Sequence, residues 1–257
     1  MSSTGFQFNE HDAEIVHYVY QLRVATLELL ATLTNRSQKT LERRLPKLRE
    51  ERYLVRLKPR PHKGPYVIGL EGVRVLIEGG YAPDDLADRR RREAEWKDLV
   101  IPHALLAVSI HAKLLLLSRE GPMQLVQWQH DQPSLWDHVE TLGDGKLPIQ
   151  PDAYFVLGNY ARPADKNTLH SFLEADVGTM SHSRIAKKIK AYAAYHQQQR
   201  HVAKFDINHF QVAIVSQTKA RAENLRSEFH PTMSNAQRRA YHFLSLDELT
   251  LGALLPD

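Results

Sequence analysis

The sequence predicts an α/β protein (α+β in layout) of two domains, the second built on a mixed sheet, and three observations lead there. Apolar side chains recur at helical spacing over residues 10–48 and are followed by two short β-prone runs. From residue 99 onward the patterning alternates in the order α-β-β-β-α-β-α-β, an antiparallel start followed by a crossover. Basic charge is concentrated in one N-terminal stretch. The 257 residues suffice for two cores, and 42% hydrophobic with 25% charged residues excludes wholesale disorder. We place an N-terminal domain at 1–80, a polar linker at 81–98 and a second domain at 99–257.

The first helix spans residues 10–22, where Ile15, Val16, Val19 and Leu22 share a face. Val24 to Leu33 forms a second, short helix. Thr34-Asn35-Arg36 breaks the pattern, and Ser37 is a good N-cap for a third helix. There Leu41, Leu45 and Leu48 face a core, while Lys39, Arg43, Arg44 and Lys47 fall on the other sides, where they meet phosphates or base edges. Pro46 is awkward inside that helix, because it removes a hydrogen bond to Glu42 at a cost of roughly 3 kcal/mol and should kink the helix. Two strands follow, Tyr53 to Lys58 and Tyr66 to Gly69, joined by the basic turn Pro59-Arg60-Pro61-His62-Lys63-Gly64-Pro65, and a helix from Glu71 to Glu78 closes the domain. Helix, helix, basic helix and a hairpin tipped by Arg60 and Lys63 together look like a winged helix-turn-helix. Such a unit lays a narrow basic helix in the major groove of double-stranded DNA. Its alternative use is as a protein-interaction module. Proteins of this kind commonly bind repeated half-sites as dimers, so a homodimer is expected.

Charge supports that expectation. Between Arg36 and Lys63 eleven Lys/Arg stand against three Glu, whereas residues 81–257 carry no net charge. A shorter patch between Asp176 and Asp206 holds six Lys/Arg and no carboxylate. The linker carries Arg89-Arg90-Arg91-Arg92, which point in several directions round a helix and read as a solvated segment.

In the second domain Leu99 to Leu117 reads as a buried helix. Met123 to His130, Asp152 to Leu157 and Leu169 to Val177 read as three strands. His182 to Gln199 is a long amphipathic helix, Phe210 to Ser216 a central buried strand, Lys219 to Phe229 a helix, and Tyr241 to Leu246 the last strand. Pro151-Asp152 opens one strand and Glu174-Ala175-Asp176 ends the next. Residues 174 and 176 point to one face, so with Asp152 alongside three carboxylates converge. A cluster of that kind calls for a hard divalent cation, with Mg²⁺ the usual solution. Lys188 and Tyr192, at i and i+4 on the following helix, lie within reach of a phosphate.

The chain contains no cysteine, which excludes disulfides, thiolate zinc sites and cysteine nucleophiles. It also contains no HExxH, no phosphate-binding GxxxxGK[ST] and no GxGxxG. The longest apolar run, Ala104 to Leu117, is broken by His111 and Lys113 and is too short to span a bilayer. The polar N-terminus lacks the apolar core of a signal peptide, so a cytoplasmic protein is expected, with no membrane partner.

Pro151-Asp152, Glu174-x-Asp176 and Lys188-x-x-x-Tyr192 on an αβββαβ core are similar to the PD-(D/E)XK restriction-endonuclease-like superfamily. More narrowly, the chain resembles the replication-relaxation family of plasmid and mobile-element proteins over roughly residues 10–245. The resemblance rests on the winged-helix start, His103-Ala-Leu-Leu-Ala-Val-Ser, and Phe172-Leu-Glu-Ala-Asp-Val-Gly-Thr leading to Lys188-Ile-Lys-Ala-Tyr192. It implies a role in replication, relaxation or mobilisation of extrachromosomal DNA, with Asp152, Glu174 and Asp176 as metal ligands and Lys188 and Tyr192 completing a catalytic site. One departure stands out: active members carry a lysine two residues after the second acid, where this chain has Asp176. Lys187 or Lys188 is then left to supply the amine. Two functions follow as expectations. One is a Mg²⁺-dependent DNA nickase or endonuclease; the other is a non-catalytic transcriptional regulator or relaxosome accessory factor on a degenerate nuclease fold.

Overall fold

A computed structural model describes residues 6–57, 64–81, 86, 90, 91, 93, 100–130, 133–159, 161, 163 and 167–255. Backbone contacts divide the chain into a unit of residues 1–112 and a unit of residues 113–257. The division falls inside the helix Ile101–Leu117 (α5).

The first unit begins with α1 (Glu10–Leu22), α2 (Leu27–Thr34) and α3 (Gln38–Glu50). Each starts on a side chain that accepts an otherwise orphaned backbone N–H: Asn9, Thr26 and Ser37. Asn9 and Asp12 cap one another reciprocally. The apolar stripes of the three helices meet through Val16, Val19, Leu30, Leu41, Leu45 and Leu48, all fully buried. After α3, β1 (Leu54–Arg56) pairs antiparallel with β2 (Tyr66–Ile68), Leu54 opposite Ile68, and Ala25 adds a bridge to Tyr66. The helix α4 (Leu70–Glu78) follows and buries Val73 and Leu76. The tip of the hairpin, with Arg60 and Lys63, and most of the linker with its arginine run lie outside the described residues.

The helix α3 continues through Pro46 rather than ending before it. Leu41 and Leu45 before the proline and Leu48 after it are wholly enclosed. Burying three leucines is worth on the order of 5 kcal/mol, which outweighs the missing hydrogen bond.

The second unit is a five-stranded mixed sheet in the order β3-β6-β7-β8-β9, formed by β3 (Met123–His130), β6 (Ala153–Asn159), β7 (Thr168–Asp176), β8 (Gln211–Ser216) and β9 (Tyr241–Ser245). β3/β6 and β6/β7 run antiparallel; β7/β8 and β8/β9 run parallel. The parallel steps need crossovers. The first is made by α6 (His182–Gln197) and the short α7 (Arg200–Phe205), the second by α8 (Lys219–Phe229) and α9 (Asn235–Ala240). All six residues of β8 are buried, as befits a strand covered on both faces. Phe172, Ile214, Phe243, Tyr192, Tyr195 and Leu225 join in one core between sheet and helices.

Three elements differ from the sequence expectation. The polar stretch after β3 contains a hairpin, β4 (Asp137–Thr141) with β5 (Gly145–Ile149), which buries Val139, Leu147 and Ile149 against the core. Both strands are five residues long and β4 buries only Val139, too few apolar positions to mark an alternation. The helix expected to reach Gln199 ends at Gln197, because Gln199 adopts a left-handed conformation (φ 51°) from which α7 restarts. α9 has no buried residue and therefore no apolar stripe to announce it.

If α3 tolerates Pro46 only through packing, Pro46→Ala restores a main-chain bond at the cost of a looser unfolded chain. We expect it to raise the unfolding free energy by about 2 kcal/mol, measured by urea denaturation.

Candidate functional site

Two places carry clustered charge, one in each unit. In the first, the enclosed leucines of α3 turn Lys39, Arg43 and Lys47 outward into solvent. A hollow of about 380 Å³ beside them is lined by His11, Arg36, Thr40 and Lys47 among others. Arg44, expected on the same outward face, is corrected by the structure. Its Nε donates to Asp12 Oδ1 at 2.6 Å, its Nη2 to the Gln7 carbonyl at 2.7 Å, and its guanidinium lies 4.6 Å from the centre of the Phe6 ring. Asp12 is wholly buried, and a buried carboxylate demands a cation; Arg44 is that cation. Arg36 is likewise engaged, 2.7 Å from Glu14 and 2.6 Å from His11 Nδ1.

In the second unit, Asp152 immediately precedes β6. Its backbone N–H donates to the Leu173 carbonyl at 2.9 Å and its Oδ2 accepts from the Ala175 N–H at 2.7 Å. Asp152 is thereby stitched to β7 on either side of Glu174, by its main chain to Leu173 and by its carboxylate to Ala175. Glu174 projects from β7 into the interior and is 1% exposed. Lys188 Nζ donates to its Oε2 at 2.5 Å and the Tyr192 hydroxyl to its Oε1 at 2.7 Å. Both donors come from one face of α6, set by the i, i+4 spacing, with Ile185 and Tyr195 anchoring that face in the core. Burial, and after it the charge of Asp152, push the Glu174 carboxyl up to about 7, although Lys188 and Tyr192 pull the other way. Burial and the Glu174 charge hold the Tyr192 hydroxyl well above its ordinary value, so it remains a donor.

The structure therefore brings together Asp152, Glu174, Lys188 and Tyr192. It does not bring Asp176 to them as a third carboxylate. Asp176, also 1% exposed, accepts from Arg221 Nε at 2.7 Å, from Ser216 Oγ at 3.3 Å and from the Gly178 N–H at 3.0 Å. The physical reason is Arg221 in the first turn of α8, which also reaches the Met180 carbonyl at 2.6 Å. Among the described residues no three His, Asp or Glu side chains are grouped to hold a metal ion. Of the two lysines considered for the amine, Lys188 makes the contact, while Lys187 is exposed.

Sequence reasoning missed Arg221. A signal existed: a cation in the first turn of a helix opposes the dipole, so Arg221, three residues after the N-cap Thr218, calls for a carboxylate partner nearby. It also missed the second patch's commitments, since Lys190 pairs with Asp144 and Arg200 with Asp137.

Fold and site together define a two-unit α/β protein that joins an outward cationic helix to a sheet-borne carboxylate–lysine–tyrosine cluster. The chain belongs to the replication-relaxation family, whose sequence pattern matches residues 16–207. Membership suggests a role in plasmid or mobile-element replication. Comparison with curated proteins and with solved structures returned no match. Among the described residues no helix is long and apolar enough to cross a membrane.

The raised Glu174 carboxyl has a consequence for stability. Its folded value lies above the ordinary 4.5, so the folded state holds this proton more tightly than the unfolded chain. The contribution is complete below about pH 4.5 and is lost as pH rises through about 7. Glu174→Gln should therefore flatten the fall in stability across that window, read from denaturant midpoints at pH 5 and pH 7.5. Equal slopes for both proteins would overturn the assignment.

Proposed function

We propose that this protein binds double-stranded DNA through α3, in the cytoplasm, as part of plasmid or mobile-element replication and relaxation. The observation that carries it is the row of exposed Lys39, Arg43 and Lys47, held outward by the leucines beneath. Three helices followed by an antiparallel hairpin support a winged helix-turn-helix docking mode, with the helix in the major groove. Binding as a homodimer to repeated half-sites is the stoichiometry that mode favours.

Each phosphate contact contributes roughly 0.9 to the slope of log affinity against log salt. Lys39→Ala, Arg43→Ala and Lys47→Ala combined should therefore weaken duplex binding and lower that slope by about 3, measured by fluorescence anisotropy from 50 to 300 mM salt. An unchanged slope would refute the assignment of α3. Arg44→Ala is a different kind of variant. It leaves Asp12 buried without its cation and should cost about 2 kcal/mol of stability, less than the roughly 3–5 kcal/mol of a fully enclosed pair, because 24% of the Arg44 side chain meets water.

A second reading, metal-assisted cleavage of the bound strand, is favoured by one observation: Asp152 at the start of β6, Glu174 in β7 and Lys188 from the crossover helix share one site. That placement, on a sheet that is antiparallel and then parallel, supports the restriction-endonuclease-like reading, with Lys188 in place of the lysine that the motif position lacks. Two adjacent carboxylates fit Mg²⁺, which binds through one or two and keeps waters and phosphate oxygens as its other ligands. Asp152 and Glu174 would hold it, and it would supply a clamp for a phosphate and a more acidic water. The chain's own groups then divide the remaining work. The Ala175 N–H orients Asp152, Tyr192 fixes the Glu174 rotamer, and Lys188 offers positive charge to a developing oxyanion. Supercoiled plasmid incubated with Mg²⁺ or with EDTA tests this. Metal-dependent conversion to open circle, lost in Asp152→Ala and Glu174→Ala, establishes cleavage. Binding without conversion leaves the alternative, a non-catalytic regulator or relaxosome accessory factor.

A further inference from the structure

A hollow of about 670 Å³ in the second unit opens between the first residues of β7 and β8, the C-terminal half of α6, and α9. Its size falls in the range of small-molecule sites, roughly 300–1,000 Å³. Three features of its wall limit what it can hold. The first is aromatic surface. Half-buried Phe210 lines it together with the buried rings of Tyr192 and Tyr241, and Phe172 at 5.0 Å and His201 at 5.1 Å pack against Phe210. The second is charge. Among the described residues lining the hollow none is a carboxylate, while His170, His196, His209 and Arg239 all face it. The third is exposed amide and imidazole edges at the rim, from Gln197, His196 and His209.

We propose that this hollow is a nucleotide site that takes a base against the aromatic wall and its phosphate at Arg239 and the imidazoles. Each part of the ligand answers to a part of the wall. A planar heterocycle stacks on aromatic rings and hydrogen-bonds to amide and imidazole edges. A phosphate needs cations and no competing carboxylate. His196 shows how closely the potential cations crowd one another at the hollow. Its ring stacks on that of His201 at 5.1 Å, and burial followed by the neighbouring His201 and His209 holds it below the ordinary histidine range. An anion in the hollow would relieve that crowding. His170 is also held low, by burial, and its Nδ1 is bonded to the Tyr154 hydroxyl at 2.6 Å, which leaves its other nitrogen for a ligand.

The chemistry has two sources, a free mononucleotide or the terminal nucleotide of a DNA strand. The proposal does not rest on duplex binding by α3. Tyr192 is shared, since its ring lines this hollow while its hydroxyl holds Glu174. A nucleotide here would therefore lie against the residue that positions the acid site.

Isothermal titration of the full-length chain with deoxyadenosine monophosphate (dAMP) tests this. Saturable binding at one site per chain is expected, together with at least a tenfold loss of affinity in the double variant His196→Ala, Arg239→Ala. Both side chains are exposed, so the thermal midpoint should be unchanged. The variant of Lys39, Arg43 and Lys47 should bind dAMP as the wild type does, which separates failure of this site from failure of α3. Displacement of dAMP by a 5′-phosphorylated single-stranded tetranucleotide upholds the site and assigns it to a strand end; no displacement upholds it and assigns it to free nucleotide. Three results overturn the proposal: no dAMP binding, binding indifferent to the double variant, or inorganic phosphate binding as tightly as dAMP.

Discussion

Glu174 occupies a central strand with 1% of its surface exposed, in a place where an ionised carboxylate is expensive. Lys188 and Tyr192 meet that cost from a single helix. The contact therefore does more than neutralise a charge, because it sets the rotation and the register of α6 against β7. α6 is the main part of the crossover that makes β8 parallel to β7, so the order of the sheet depends on how α6 docks. Buried ion pairs of this kind add little net stability, since desolvation offsets the attraction, but a mispacked helix would leave the charge uncompensated. Asp176 repeats the arrangement two residues later, with Arg221 tying β7 to the second crossover at α8. Each of the two parallel steps of the sheet is thus held by one acid of β7 and one cation of the following helix.

The first unit uses the same device for a different end. Asp12 is buried, caps the start of α1 and takes Arg44 from α3. That ion pair fixes how α3 lies on α1 and spends one of its four central cations on architecture. The remaining three, Lys39, Arg43 and Lys47, carry no such burden and face water. A basic helix is thereby sorted into a structural arginine and a set of cations free to meet a polyanion.

Membership of the replication-relaxation family fits a chain whose two halves divide in this manner. The cationic helix is rigid because its opposite face is a leucine stripe in the core. The acid site is rigid because every group in it is bonded to a neighbour in the sheet or in α6. On the proposed reading, rigidity of both kinds is what positioning a phosphodiester backbone demands. The same rigidity would serve a domain that only binds. What distinguishes the two outcomes chemically is whether Glu174 exchanges its bond to Lys188 for a bond to a metal ion.

Much of the architecture was legible in the sequence because it depends on short-range rules. Helical spacing placed α1, α3, α4, α6 and α8 to within a few residues, a β-prone run placed β8, and the cap Ser37 marked where α3 starts. The succession of the five sheet strands with α6 and α8 between the parallel ones was legible for the same reason, as was the pairing of Lys188 with Tyr192 on one helical face. The hairpin β4–β5 and the helix α9 were not, since one is short with few apolar positions and the other buries nothing. Nor could local pattern tell which charges turn inward. Glu174 and Asp176 share one periodicity yet take different cations, and Arg43 and Arg44 are adjacent in one helix yet only Arg44 turns to a buried acid. Those partners, Lys188, Arg221 and Asp12, lie 14, 45 and 32 residues away from Glu174, Asp176 and Arg44. Strand and helix periods set which way a side chain leaves the backbone, but only the packed chain sets which charge waits for it there. A buried carboxylate takes whichever cation the fold brings within reach, and that choice belongs to the tertiary structure.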